Sequence, residues 1–166
     1  MEVNGYEIEP FANLSGANFT GVNFIGVNLW GANFVGANLN GANLEGASLG
    51  GADLTNANLK GANLEGASLQ DANLTSAKLQ LAKLKGADLS NADLTSADLT
   101  SADLHGAHLG GANLTDVNLT SAQLSGADLV GAILTNANLK GANLKGAYFK
   151  DAIFTGTTMP DGTIHD

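Results

Sequence analysis

Apolar and polar residues alternate along this chain as inward, outward, inward, outward, outward, and the pattern repeats every five residues. With the large apolar residue as position i, it recurs at Leu14, Phe19, Phe24, Leu29, Phe34 and every fifth residue to Phe154, twenty-nine times without a slip. Leu fills all but five of these positions and Phe fills the rest. Position i−2 is Ala throughout, except at Val22, Val27 and Val117. Two apolar residues separated by one polar residue alternate as in a strand, so both face the same way. A five-residue period drifts off any single helix face at about 3.6 residues per turn. Two successive outward positions, i+1 and i+2, demand a bend. Each repeat therefore predicts a very short strand and a corner.

Position i+2 has the composition of a corner. It is Gly in most repeats, and elsewhere Asn56, Asp71, Ser76, Asn91, Ser96, Ser101, Asp116, Ser121, Asn136 or Asp151. These residues tolerate or locally satisfy bent backbone. Leu81 is the lone exception. A second period of twenty shows in the exposed columns, where Thr55, Thr75, Thr95, Thr115, Thr135 and Thr155 follow one another, as do Gly26, Gly46, Gly66, Gly86, Gly106, Gly126 and Gly146. Four repeats then make one coil of a four-sided tube. Coils stacked at the ~4.8 Å spacing of hydrogen-bonded strands give about seven coils and a rod roughly 35 Å long. Leu or Phe with Ala fills the interior and leaves no ligand channel. Outward Asn residues one coil apart, such as Asn18-Asn38-Asn58 and Asn23-Asn43-Asn63, are placed to form ladders.

Three segments follow: a cap or tail at 1–11, the repeats at 12–156, and a closing turn at 157–166. The tail is read as extended to Pro10, with Tyr6 or Phe11 over the open first coil, because a bare solenoid end exposes unpaired strand edges. Phenylalanines gather at the two ends and supply bulk there. Pro160-Asp161-Gly162 marks a turn, and no C-terminal helix is expected.

Residues 12–156, as in Ala37-Asn38-Leu39-Asn40-Gly41 and Ala52-Asp53-Leu54-Thr55, resemble the pentapeptide-repeat family, whose motif runs Ser/Thr/Ala/Val, Asp/Asn, Leu/Phe, Ser/Thr/Arg, Gly. The resemblance implies an all-β fold, a right-handed quadrilateral parallel β-helix with positions i and i−2 inside. It also implies a bacterial, above all cyanobacterial, setting in which most members have no assigned activity.

Composition narrows the function. The hydrophobic share of 44% is inflated by Ala, and no run of about 18 apolar residues is present to span a bilayer. The first residues have neither the basic nor the apolar region of a signal peptide, so the cytoplasm is the expected compartment. With no Cys there is no disulfide, thiolate chemistry or Cys-based zinc site. Sixteen acids against seven bases, all Lys, give a net charge of −9, which disfavours direct nucleic-acid binding. His105 and His108 stand near Asp88 and Asp128, but side chains parallel on a flat face do not converge on a metal. No catalytic set, cofactor motif or cleft is legible, and an enzyme is the least expected class.

The candidate interaction surface has two parts. Ile25, Trp30 and Val35 are apolar at the outward i+1 position in three successive repeats, and serve either a partner or the tail residues Val3, Tyr6 and Ile8; the tail is the favoured occupant. Asp88, Asp93, Asp98 and Asp103 ring one coil, with Lys78 below Asp98 and Lys83 below Asp103, so the acids are either compensated or form a belt for a basic partner. A second small apolar patch, Ile133, Ile153 and Tyr148, and a collar of Lys140, Lys145 and Lys150 lie near the C-terminus. The expected function is a non-enzymatic protein-interaction or structural module, monomeric, with an unknown protein partner. The alternative is a DNA mimic: quinolone-resistance members of the family bind DNA gyrase, and an acidic rod is similar to a duplex. Those members tend to dimerise through a C-terminal helix, and some carry loops between coils; this chain has neither feature. A water-ordering template on the Thr55–Thr155 column is the third and weakest reading.

Overall fold

The computed structural model describes residues 1–166. Between an N-terminal hairpin, β1 (Glu2–Val3) with β2 (Tyr6–Glu7), and a C-terminal hairpin, β3 (Thr157–Thr158) with β4 (Ile164–His165), the chain is a solenoid. Its strands are so short that each is reduced to one bridged residue. Position i−1 pairs in parallel with its counterpart twenty residues on, from Asn13↔Asn33 through Asp53↔Asn73 to Asn138↔Thr158. Each circuit is therefore four five-residue steps, as the exposed columns indicate.

The backbone closes this path by satisfying all five amides of a repeat. In the repeat around Leu54, the Leu54 N–H donates to the Asn73 carbonyl at 2.7 Å and the Asn56 N–H to the Thr75 carbonyl at 3.0 Å, both one coil on. Asn58 N–H donates to the Ala37 carbonyl one coil back, at 2.9 Å, and Ala57 N–H turns the corner onto the Leu54 carbonyl, also at 2.9 Å. The remaining amide, Thr55 N–H, is taken by the Asp53 side chain at 3.0 Å. This last bond forms wherever i−1 is Asn or Asp, and in no repeat where i−1 is another residue, such as Ser48, Lys78 or Ile133. The Asn/Asp column thus builds local Asx turns, the competition for backbone donors that suits these residues to bends. The ladders expected of the same residues are sparse: Asn58 donates to Asn38 at 3.1 Å and Asn33 to Asn13 at 3.3 Å. Asn63 donates instead to the Glu45 carboxylate at 3.3 Å, in the neighbouring i+1 column one coil back.

Every i+2 residue from Phe11 to Gly156 has positive φ. In this left-handed region an L side chain is strained, which explains why Gly, Asn, Asp and Ser occupy the corner. At several corners the side chain leans onto a glycine of the next coil: a Cβ at Gly111 would lie 2.5 Å from Asn91 Oδ1.

The core is a single cluster of 51 buried residues, the Leu/Phe and Ala columns. Leu54, Leu74 and Leu94 are fully buried in one column. The two ends differ. At the N-terminal end Ile8 is buried, and Tyr6 meets Phe19 edge-on at 5.6 Å, with Phe24 and Phe34 at 5.2 and 6.3 Å from Phe19. Tyr6 is thus the capping aromatic. Phe11 is not: it occupies a corner position and lies exposed on the side of the rod. At the C-terminal end Leu144, Phe149 and Phe154 are only half-buried. The amides of Leu144, Gly146, Phe149, Asp151 and Phe154 make no backbone hydrogen bond. The closing hairpin covers only part of that edge, anchored by the Thr157 hydroxyl on the Leu134 carbonyl at 2.6 Å.

Candidate interaction surfaces

A solid core leaves contact surfaces as the places where chemistry can occur. No group of three or more metal-ligating side chains converges: His105 Nδ1 meets Asp103 alone, at 2.8 Å.

Ile25 and Trp30 are half-exposed, at 53% and 49%, and Val35 is half-buried. The tail does not cover them. Val3 and Tyr6 pack against the end of the core instead and Ile8 is buried in it, with Tyr6 on Phe19, whose face no further coil stacks upon. The twenty-residue register also puts Ile25, Trp30 and Val35 on successive corners, a quarter circuit apart. What Trp30 does touch is Phe11, edge-on at 5.1 Å. Its indole lies across Gly50, where a Cβ would be 2.9 Å from the ring. Phe11 and Trp30 together form an aromatic ledge. The five-residue frame assigns Phe11 to the corner column, and that was the signal for its place on the side of the rod.

Asp88, Asp93, Asp98 and Asp103 do ring one coil, all half-buried. Their carboxylates are engaged locally. Asp98 accepts from the Thr100 amide and hydroxyl at 3.0 and 2.6 Å and from Gln80 Nε2 at 2.7 Å. Asp93 accepts from Thr95 in the same way, Asp103 from His105, and Asp88 from the Ser90 amide and Gln70 Nε2. Partial burial acts to raise the Asp98 pKa, but the Thr100 and Gln80 hydrogen bonds outweigh it and hold the carboxyl below its ordinary range. Asp88 is also lowered, against burial, by Ser90, Gln70 and the nearby His108 charge, and Asp103 by His105 and Lys85. Lys78 and Lys83 stand in register with Asp98 and Asp103, yet neither makes an ion pair. The Met1 amino group pairs with Glu7 at 3.9 Å, and the His105 ring hydrogen-bonds Asp103. Compensation by these lysines, one of the two expected readings, is therefore absent as direct contact; short glutamines and hydroxyls reach the carboxylates first.

These depressed pKa values set a pH dependence. The unfolded chain binds the proton first on acidification, so the stabilisation is complete above the ordinary carboxylate value of about 3.9 and is lost as pH falls through the lower folded-state values. Thermal midpoints should fall modestly below about pH 4, because these carboxylates are only partly buried. The combined Asp88→Asn, Asp98→Asn, Asp103→Asn variant should show a shallower drop.

Leu81 stands apart from both groups. It is 58% exposed and has φ 60°. Leu81→Gly removes this strain and is expected to raise unfolding stability by about 0.5–1 kcal/mol after the greater chain entropy of glycine is set against it. A thermal midpoint below that of the unaltered chain would contradict this.

The model of the family described as pentapeptide repeats matches the chain in 8 copies, over residues 12–51, 47–86, 77–116, 97–136 and 118–156. Among solved structures the chain is similar to HetL, a pentapeptide repeat protein involved in heterocyst differentiation regulation from the cyanobacterium Nostoc sp. strain PCC 7120. The identity is 39% and the TM-score 0.55, over 92% of this chain and 78% of that one. It is also similar to a pentapeptide repeat protein of the Arabidopsis thaliana thylakoid lumen, at 38% identity and TM-score 0.46, over 56% of this chain and 68% of that one. QnrB1, a plasmid-mediated fluoroquinolone resistance protein, aligns at 18% identity and TM-score 0.39 over 81% of each chain. The last two likenesses are too loose to bear on function. No curated protein sequence matches the chain. No helix is long and apolar enough to cross a membrane.

Proposed function

The chain belongs to the pentapeptide-repeat family, and on that premise we propose that it is a cytoplasmic, monomeric, non-enzymatic contact module that works by binding another protein. In this reading it is a right-handed quadrilateral β-helix of about seven coils at strand spacing, with the repeats over 12–156 between a cap at 1–11 and a closing turn at 157–166. The observation that carries the reading is the half-exposed Trp30. A large aromatic at a position that is otherwise mostly polar, steadied by Phe11 and seated on Gly50, is the kind of rigid anchor that dominates protein interfaces. Ile25, Val35 and the Asp88–Asp93–Asp98–Asp103 ring extend the surface. The likeness to HetL, which is described as involved in regulating differentiation, supports a regulatory rather than a purely structural role, in a cyanobacterial setting.

The test is comparative capture. Proteins retained by the immobilised chain should include at least one that Trp30→Ala releases while the circular dichroism stays unchanged. Identical retention by both proteins would remove the Trp30 surface from the account.

The net charge of −9 favours the DNA-mimic alternative. The engagement of Asp88, Asp93, Asp98 and Asp103 with neighbouring donors weighs against it, because those carboxylates would have to exchange bonds already made for bonds to gyrase or another basic nucleic-acid-binding protein. No change in gyrase supercoiling is expected when the protein is added in molar excess.

A further inference from the structure

We propose that Leu81, flanked by Lys78 and Lys83 and with Lys60 one coil back, is a docking knob for an acidic protein segment that carries an apolar pocket or cluster. The inference rests on the reading of the chain as a contact module and names a second surface and its partner chemistry.

Three observations meet at this corner. The first is Leu81 itself. Its corner column runs Gly21, Gly41, Gly61, Leu81, Ser101, Ser121, Gly141, so a leucine interrupts residues suited to left-handed backbone. A strained residue persists when something outside its own backbone favours it. Here the chain itself offers little, since the side chain is 58% exposed and lies outside the core cluster. The second is charge. Lys78 and Lys83 are the i−1 residues of the two faces that meet at Leu81, and Lys60 sits at the same corner one coil back; all three are exposed. None is in an ion pair, so three of the seven bases of an acidic chain gather unpaired around one apolar side chain. The third is shape. Gly61, directly before Leu81 in the column, has no atom within 4 Å of where its Cβ would be, so an open notch adjoins the knob. On that side the in-register neighbours Asn58 and Asn63 carry no charge themselves, and Asn63 donates to the Glu45 carboxylate at 3.3 Å. On the other side Asp98 and Asp103 are bound to Gln80, Thr100 and His105. An acidic segment approaching Gly61 from the Asn58 side meets Lys60, Lys78 and an uncharged amide, with the Glu45 carboxylate held on the far side by Asn63.

A leucine knob requires an apolar receptor, which a phosphate backbone does not provide, and the overall charge of −9 opposes a duplex. The complementary partner is therefore a protein segment.

A random displayed-peptide library selected on the immobilised full-length protein should return sequences rich in Asp or Glu and large apolar residues. Synthetic versions should bind Leu81→Gly at least about tenfold more weakly than the unaltered chain. The Lys78→Glu, Lys83→Glu double variant should show a similar loss that shrinks at high salt. Because Leu81→Gly is expected to be the more stable protein, weaker binding to it does not arise from unfolding; a circular dichroism melt of each variant checks this. Peptides that bind Leu81→Gly and the unaltered chain equally, but lose Trp30→Ala, would overturn this inference and leave the broader reading standing. Recovery of no peptide would count against both. Retention of a labelled DNA duplex by the same lysines, with no peptide recovered, would show that the partner class is wrong.

Discussion

Leu84→Ala should lower the unfolding free energy by about 2–5 kcal/mol, in the upper part of that range. The side chain is 1% exposed in mid-rod, with Leu64 and Leu104 stacked before and after it in the column. The size of the loss depends on whether the cavity can collapse. Here it cannot easily do so, because the coil spacing is pinned by backbone bonds on both sides of the gap: Leu84 N–H to the Asp103 carbonyl at 2.7 Å and Lys83 N–H to the Ala62 carbonyl at 2.9 Å. A urea titration should show a lower midpoint with an unchanged slope. The same substitution at half-buried Leu144 removes less area and should cost about 1–2 kcal/mol. Equal losses at the two positions would contradict a core whose packing is tightest at mid-rod.

Removing one residue should do more harm than removing twenty. Deletion of Gly86 alone breaks the five-residue frame, and at least two of the leucines beside the defect must leave the core before the register recovers. At about 1.5–3 kcal/mol for each buried leucine, this costs about 3–6 kcal/mol, before unmade bridges are counted. Deletion of residues 87–106 instead takes out one whole circuit. Leu84 is then followed by Leu109 in the frame that Leu89 held, and every bridge downstream finds a partner of the same type. Because each coil contacts only its neighbours, the shortened chain should keep a cooperative melt and lose only one coil's share of stability. Denaturant unfolding of both variants decides the matter: a twenty-residue deletion that unfolds as readily as the single one would contradict the register.

Much of this fold is legible in the sequence because each level repeats the same instruction. The inward columns, the corner at i+2 and the circuit of twenty all follow from side-chain alternation and turn chemistry. At Pro160-Asp161-Gly162, where turn chemistry is plain in the letters, the Met159 N–H bonds the Thr163 carbonyl at 2.7 Å. The role of the Asn/Asp column is harder to see. An outward Asn looks equally suited to a ladder with the next coil, but the amide two residues along the chain is nearer and competes without ordering anything further. The same short reach explains why Gln80 and Thr100, rather than Lys78, hold Asp98. The placement of the tail turns on a comparison between the open end of the core and a row of surface apolar residues, and that comparison needs areas rather than letters. Leu81 is visible in the sequence as an exception, but its exposure and its unpaired lysine neighbours require coordinates.

The unequal ends give unfolding a direction. At one end a buried isoleucine and a Tyr–Phe contact must be undone before the first coil can loosen; at the other, five amides make no backbone hydrogen bond. In a molecule whose parts touch only the parts beside them, disorder then advances from the C-terminal edge like a zipper opened from its free end. Deuterium exchange should be fastest around residues 144–154 and slow progressively toward mid-rod, so the rod acts as a graded clock, with the Trp30 surface among the last to be released.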